Sequence, residues 1–230
     1  MSDIFREVDE DLRHEHYKRL WDRFGPYVIG LAVLIVVGTA GWRLWEYWQE
    51  RSAQATGDRF VVALELAEAG DRDAAITALQ EIAVDGSGQY PMLANFRAAS
   101  ERAASGDLES AVSEYDAIAA AGSTPDLIRA IARLRAALIL VDTASLEELE
   151  SRIGDLAATG GPWRHGAREI LGLAAWRADD MDTARKYYEE ITADQEKPAD
   201  LQTRAQFMLA LIKARTGDPA ASTSASGGEG

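Results

Sequence analysis

Cysteine is absent from this 230-residue chain, which excludes disulfides, thiolate metal sites and thiol nucleophiles. The same absence fits an oxidising compartment. Histidine is nearly absent as well, with only His14, His16 and His165. A hydrolytic triad needs a base held beside its nucleophile, and these three offer little for one. His14 and His16 stand two apart and do not share a helix face, so they are no metal pair. His165, beside Trp163 and Arg164 near a helix start, reads as a surface or packing residue. No phosphate-cradling loop is present: Gly86-Ser87-Gly88 and Gly227-Gly228 lack the lysine and following helix such a loop requires. Carboxylate neighbours such as Glu147-Glu148 and Glu189-Glu190 read as solvated helix faces. The chain is therefore expected to be non-enzymatic, with no catalytic residue, cofactor or metal.

Positive charge is the other scarcity. Beyond residue 48 lie 18 of the 24 basic and 30 of the 38 acidic residues, a balance of −12. Such a surface repels nucleic-acid phosphates and anionic lipid headgroups, so no nucleic-acid partner is expected and the domain should stand off a bilayer. Strand signal is missing too, because no alternating β-branched run interrupts the many alanines.

What is present first is an apolar run, Val28 to Ala40, without a charge. Trp21, Phe24 and Tyr27 precede it; Trp42, Trp45, Tyr47 and Trp48 follow. The stretch from Phe24 to Trp45 covers about 33 Å at about 1.5 Å per helical residue, enough to span a hydrocarbon core. Rings with polar edges settle at the two membrane interfaces, whereas a buried core helix has no use for them there. Arg43 can extend its guanidinium to the same interface. Gly38, Thr39 and Ala40 are small enough for a cleaved leader, but the long acidic stretch ahead favours an uncleaved anchor. Arg6, Arg13, Lys18, Arg19 and Arg23 before the run outnumber Arg43, Arg51 and Arg59 after it. That bias places the N-terminus in the cytoplasm and the bulk outside it.

A helical pattern then repeats. Apolar stripes at i, i+4, i+7 are formed by Ala75, Leu79, Ile82; Ala111, Tyr115, Ile118; Leu149, Ile153, Leu156; and Ala184, Tyr188, Ile191. Pro91, Pro125, Pro162 and Pro198 keep the same period of about 36, each after a stripe has ended. Gly70-Asp71, Gly106-Asp107 and Asp179-Asp180 supply turn residues ahead of three stripes, where they can close one helix and cap the next. Asp142-Thr143-Ala144-Ser145 is the degenerate member, and Gly217-Asp218 begins the turn again.

The unit Gly70-Asp71-Arg72-Asp73-Ala74-Ala75, followed by Leu79, Ile82 and Pro91, resembles a tetratricopeptide repeat. Ala63, Ala99, Gly172 and Ala210, seven before each turn, match the place where that repeat packs its helices closely. The third unit is read as lacking this small residue and as distorted. The fold class expected is all-α: one N-terminal transmembrane helix followed by an α-solenoid of about four helix pairs. The domains are 1–23, a cytoplasmic amphipathic segment; 24–48, the anchor; 57–218, the repeats; and 219–230, a disordered tail. Ile4, Val8 and Leu12 give the first segment an apolar face, for partner docking or as a frayed topogenic leader.

The resemblance implies a peptide-binding concave face. Its positions fall on Phe60, Leu64 and Ala67; Phe96, Ser100 and Ala103; Leu173 and Trp176; and Phe207, Leu211 and Ala214. An exposed groove of that character suits hydrophobic client segments; the alternative is that these side chains belong to the core. The layout, with Gly41-Trp42-Arg43-Leu44-Trp45 at the junction, resembles the ancillary SecYEG translocon subunit family. That resemblance implies a bacterial inner-membrane protein attending Sec translocon subunits and a periplasmic chaperone or prolyl isomerase. The alternative is a membrane-tethered scaffold for cell division or peptidoglycan synthesis.

Overall fold

The computed structural model describes residues 3–217, with side chains of the first helix described at Arg23, Pro26, Tyr27 and from Ile29 onward. The expected interface rings of Trp21 and Phe24, the amphipathic face of segment 1–23 and the tail 219–230 lie outside the described residues. The chain forms two compact units, Met1–Ala55 and Thr56–Gly230. No strand occurs among the described residues.

The first unit is built on α1 (Asp3–Glu68), which continues into the second. Its apolar window, beginning at Ile29, is long enough to cross a membrane, and none of it is buried by the rest of the chain. The hydroxyl of Thr39 donates to the Ile35 carbonyl at 2.7 Å, so this polar group in the apolar run is satisfied within the helix. Trp42, Trp45 and Trp48 are exposed, and Arg43 reaches Glu46 at 3.5 Å.

In the second unit the end of α1 pairs with α2 (Arg72–Asp85), and α3 (Tyr90–Ser105) with α4 (Leu108–Ala120). Next come α5 (Asp126–Leu140) with the short α6 (Leu146–Ile153), then α7 (Arg164–Arg177) with α8 (Met181–Ala193). A single helix, α9 (Ala199–Thr216), follows. Each second helix starts on a side-chain cap. Asp71, Asp107, Ser145 and Asp180 accept from the amides of Ala74, Ser110, Glu148 and Thr183, three residues on.

Three of the intervening turns share one geometry. Gly70, Gly106 and Asp179 take φ of 86°, 90° and 62°, and the next residue donates back to Leu66, Arg102 and Ala175 respectively. This left-handed closure lets one residue end a helix and cap the next, so the two helices of a pair stay antiparallel and close.

The stripes are the core. Ala75, Leu79, Ala111, Leu149, Ile153, Ala184 and Ile191 are fully buried, with Ile82, Tyr115 and Tyr188 nearly so. Each large side chain contributes about 1.5–3 kcal/mol. Each second helix lies between two first helices: Leu79 and Ile82 pack between Ala63 of α1 and Ala94 of α3, and Tyr115 and Ile118 between Ala99 of α3 and Ala132 of α5. The pattern repeats around α6 and α8, so no pair is complete alone and the array is a solenoid.

The third unit corrects one expectation. Its small residue is present: Ala137 is fully buried and stands 12 before Leu149, the spacing of Ala63 to Ala75, Ala99 to Ala111 and Gly172 to Ala184. Counting from Asp142 misses it, because the cap is Ser145. The distortion lies elsewhere. Its second helix lasts 8 residues and passes into a 3₁₀ turn, Gly154–Ala157, which leaves Leu156 half-buried. Arg133 of α5 secures that ending, its Nε donating to the Arg152 carbonyl at 2.8 Å and its Nη1 to Asp155 at 3.0 Å.

Candidate protein-binding surface

The small residues Ala63, Ala99, Ala137, Gly172 and Ala210, the first four of them buried, set a common register for the first helices. Three residues earlier stand Phe60, Phe96, Leu134, Glu169 and Phe207; one residue later stand Leu64, Ser100, Leu138, Leu173 and Leu211. These positions carry the expected groove, and the structure places them unequally.

Phe60 and Phe96 are half-buried against tyrosines. Phe60 lies 5.7 Å from the ring of Tyr90, and Phe96 meets Tyr115 edge-on at 5.1 Å. Both supply core contact more than open surface. Trp176 packs on the cluster around α8, with the Arg215 guanidinium 5.1 Å from its ring centre. Leu64 and Leu173 are half-buried, as are Ser100 and Ala103, and Ala67 is buried. The free apolar surface lies on α9, where Phe207 is 64% exposed and Leu211 37%, with Ala214 also exposed.

Leu138, 48% exposed, occupies the same register on α5 and was missed in the sequence. Its signal was the 12-residue spacing from Ala137 to Leu149, which the degenerate turn concealed. Glu169 replaces an apolar residue in this register, and its carboxylate takes a two-pronged contact from Arg204 of α9 at 2.6 and 3.1 Å.

The buried charges of α7 are structural. Arg164 and Arg168 of α7 are buried beside Asp194 at the end of α8. Arg164 grips Asp194 at 2.5 and 3.0 Å and reaches Glu196 at 2.8 Å. The Arg164 guanidinium holds the Asp194 carboxyl well below the usual carboxylate range. His165 is buried here, its Nε2 lying 3.1 Å from Asp194 without the alignment of a hydrogen bond. Arg168 donates to the Ala157 carbonyl at 3.0 Å. The cluster ties three consecutive segments together and presents no nucleophile. Among the described residues no group of three histidine, cysteine or carboxylate side chains is placed to hold a metal.

A chain of paired, antiparallel helices whose apolar stripes interlock from pair to pair is an α-solenoid, a scaffold that offers surface for other proteins. The tetratricopeptide repeat-like domain model matches residues 18–222, and the chain belongs to that family. The matched region takes in the apolar segment as well as all four helix pairs. No match was found among curated proteins or among solved structures. Domains of this family are typically non-catalytic protein-interaction modules.

Proposed function

We propose that this protein is a single-pass component of the bacterial inner membrane whose periplasmic solenoid binds proteins beside the Sec translocon. One observation carries the reading: an apolar helical window that nothing in the chain buries stands directly ahead of the repeats, within one family match. In this reading Trp21, Phe24, Tyr27, Trp42, Arg43, Trp45 and Trp48 are the interfacial anchors. The domains run 1–23 in the cytoplasm, 24–48 across the bilayer and 57–218 in the periplasm. The tether concentrates a weakly binding surface next to chains leaving the channel, where proximity compensates for modest affinity. Clients are unfolded or hydrophobic segments, engaged through Leu64, Leu173, Phe207 and Leu211, with Phe60, Phe96 and Trp176 supporting them from beneath. The partners are Sec channel subunits and a periplasmic chaperone or prolyl isomerase, a role drawn from the resemblance of the Gly41-to-Trp45 junction and layout.

Site-specific cross-linking from Trp48 in intact membranes tests the role. Recovery of Sec channel subunits is expected. Recovery only of division or wall-synthesis enzymes would replace the translocon role with that of an envelope-assembly scaffold.

A further inference from the structure

Four residues ahead of the buried small residue, the first helix carries an arginine in three of the four pairs: Arg59, Arg133 and Arg168. Each straps its helix to the end of the second helix in its own pair. Arg59 reaches Asp85 at 2.9 Å, Arg133 reaches Asp155 at 3.0 Å, and Arg168 lies 3.0 Å from Glu190 and 3.7 Å from Asp194. The acceptors keep a register too, six residues (Asp155, Glu190) or ten (Asp85, Asp194) after the first residue of the buried stripe. In the second pair every part of the strap is changed. Asn95 stands in place of the arginine, and Ala117 and Ala121 in place of the carboxylates.

Asn95, Ala117 and Ala121 all line a cleft of about 520 Å³ between the start of α3 and the end of α4, where the other pairs hold their strap. Met92 and Ile118 give it an apolar floor, and Ser123 and Thr124 close one end. Among the described residues Glu114 is the single charged side chain in its wall. Glu114 Oε1 accepts from Arg102 Nε at 2.7 Å, but Arg102 is shared with Asp107 at 3.5 Å, so one guanidinium serves two carboxylates. Glu114 Oε2 is shut off from solvent and has no hydrogen-bond partner. Thr124 is buried, and its hydroxyl likewise meets no partner among the described residues.

These features select an occupant. The unmatched carboxylate, the negative end of the α4 dipole and the net charge of −14 favour a cation, while the floor favours a hydrocarbon stem. Arginine combines the two, and its planar fork can satisfy Glu114 Oε2 with donors left over for nearby carbonyls. The Thr124 hydroxyl and the exposed amides of Gln89 and Asn95 both give and accept hydrogen bonds, as the backbone of an extended segment requires. We infer that the cleft between α3 and α4 takes an arginine side chain of a protein partner, presented on an extended segment. The partner thereby supplies in trans the guanidinium that the other three pairs carry themselves. The inference rests on the protein-binding reading of the domain but on neither the translocon role nor the apolar positions of the first helices. Its test and membrane cross-linking therefore fail independently.

The probe is a blocked alanyl-arginyl-alanine peptide, titrated into the full chain in detergent with its methionine methyl groups labelled for NMR. Of the four methionines only Met92 lines the cleft, so Met181 and Met208 report whether the fold is intact. A saturable shift of the Met92 signal is expected, with the binding weakened by added salt. The same peptide with neutral citrulline in place of arginine should bind at least about tenfold more weakly. Glu114→Gln should remove that preference. Asn95→Arg, made at an exposed site, refills the cleft from within and should abolish binding. Absence of a saturable Met92 shift, equal binding of the citrulline peptide, or unchanged binding by Asn95→Arg overturns the inference. So does sedimentation as a dimer that Asn95→Arg disperses, since a second copy would then fill the cleft.

Discussion

Gly172 of α7 sits so close to Tyr188 of α8 that a Cβ added at the glycine would lie 3.0 Å from two carbons of the tyrosine ring. The same two positions share a core in other pairs, Ala63 with Leu79 and Ala99 with Tyr115, at the same 16-residue spacing. Alanine at position 172 gains about 1 kcal/mol of helix propensity but crowds a ring that has no room to retreat, at a cost of about 1–3 kcal/mol. Gly172→Ala should therefore destabilise the domain when Tyr188 is present. In a Tyr188→Leu background, which reproduces the Ala63 and Leu79 pairing, the same change should stabilise. Urea unfolding of the four proteins in this cycle measures the coupling, and additive effects would show that the contact does not set the spacing.

The phenol of Tyr188 is buried without a hydrogen-bond partner, and burial pushes its pKa up. An unsatisfied buried hydroxyl costs about 1–3 kcal/mol. Tyr188→Phe keeps the ring and removes that cost, so its denaturation midpoint should rise, by about 1 kcal/mol in free energy. A lower midpoint would mean the hydroxyl has a partner after all.

Acid should loosen the end of α8 first. The Asp194 carboxyl is held low in the folded protein by Arg164, so it favours folding above the unfolded pKa of about 3.9. That contribution is lost as pH falls through the folded value. Asp107 and Asp180, held down by hydrogen bonds from Ser110 and Thr183, act in the same direction. Stability should drop below about pH 4, and Asp194→Asn should be weaker at neutral pH with a shallower acid limb. Denaturation midpoints measured from pH 7 to pH 3 check both parts.

The third turn has no left-handed residue, and it is held from the next repeat instead. Arg177 of α7 donates to the carbonyls of Asp142 and Ala144. Arg177→Ala should cost about 1–2 kcal/mol and speed hydrogen exchange at Thr143 and Ala144, whose amides bond the Leu140 carbonyl. Unchanged exchange there would place the control of this turn elsewhere.

The regular units were legible because their signals are local and redundant. Leu79, Tyr115 and Tyr188 announce their burial by spacing, while Gly70 and Gly106 announce the turns. The third unit was misread because Asp142 imitates a cap, whereas Ser145, followed by Glu148 at the third helical position, is the one used. Helix α1 was read in pieces, yet it runs unbroken to Glu68: no proline follows Pro26 before Pro91, and Gly57 is occupied as a close contact for the Tyr90 phenol. The candidate groove was only partly legible. Phe60, Phe96 and Phe207 hold identical register, and only the tertiary presence of Tyr90 and Tyr115 separates the covered rings from the free one.

The proposed function holds that a protein-binding solenoid is tethered on the outer side of the inner membrane. Protease added to intact spheroplasts tests it most directly. The account predicts digestion of the repeat domain, leaving a membrane-embedded fragment that contains Val28 to Ala40. Full protection of the domain until the membrane is lysed would contradict the account.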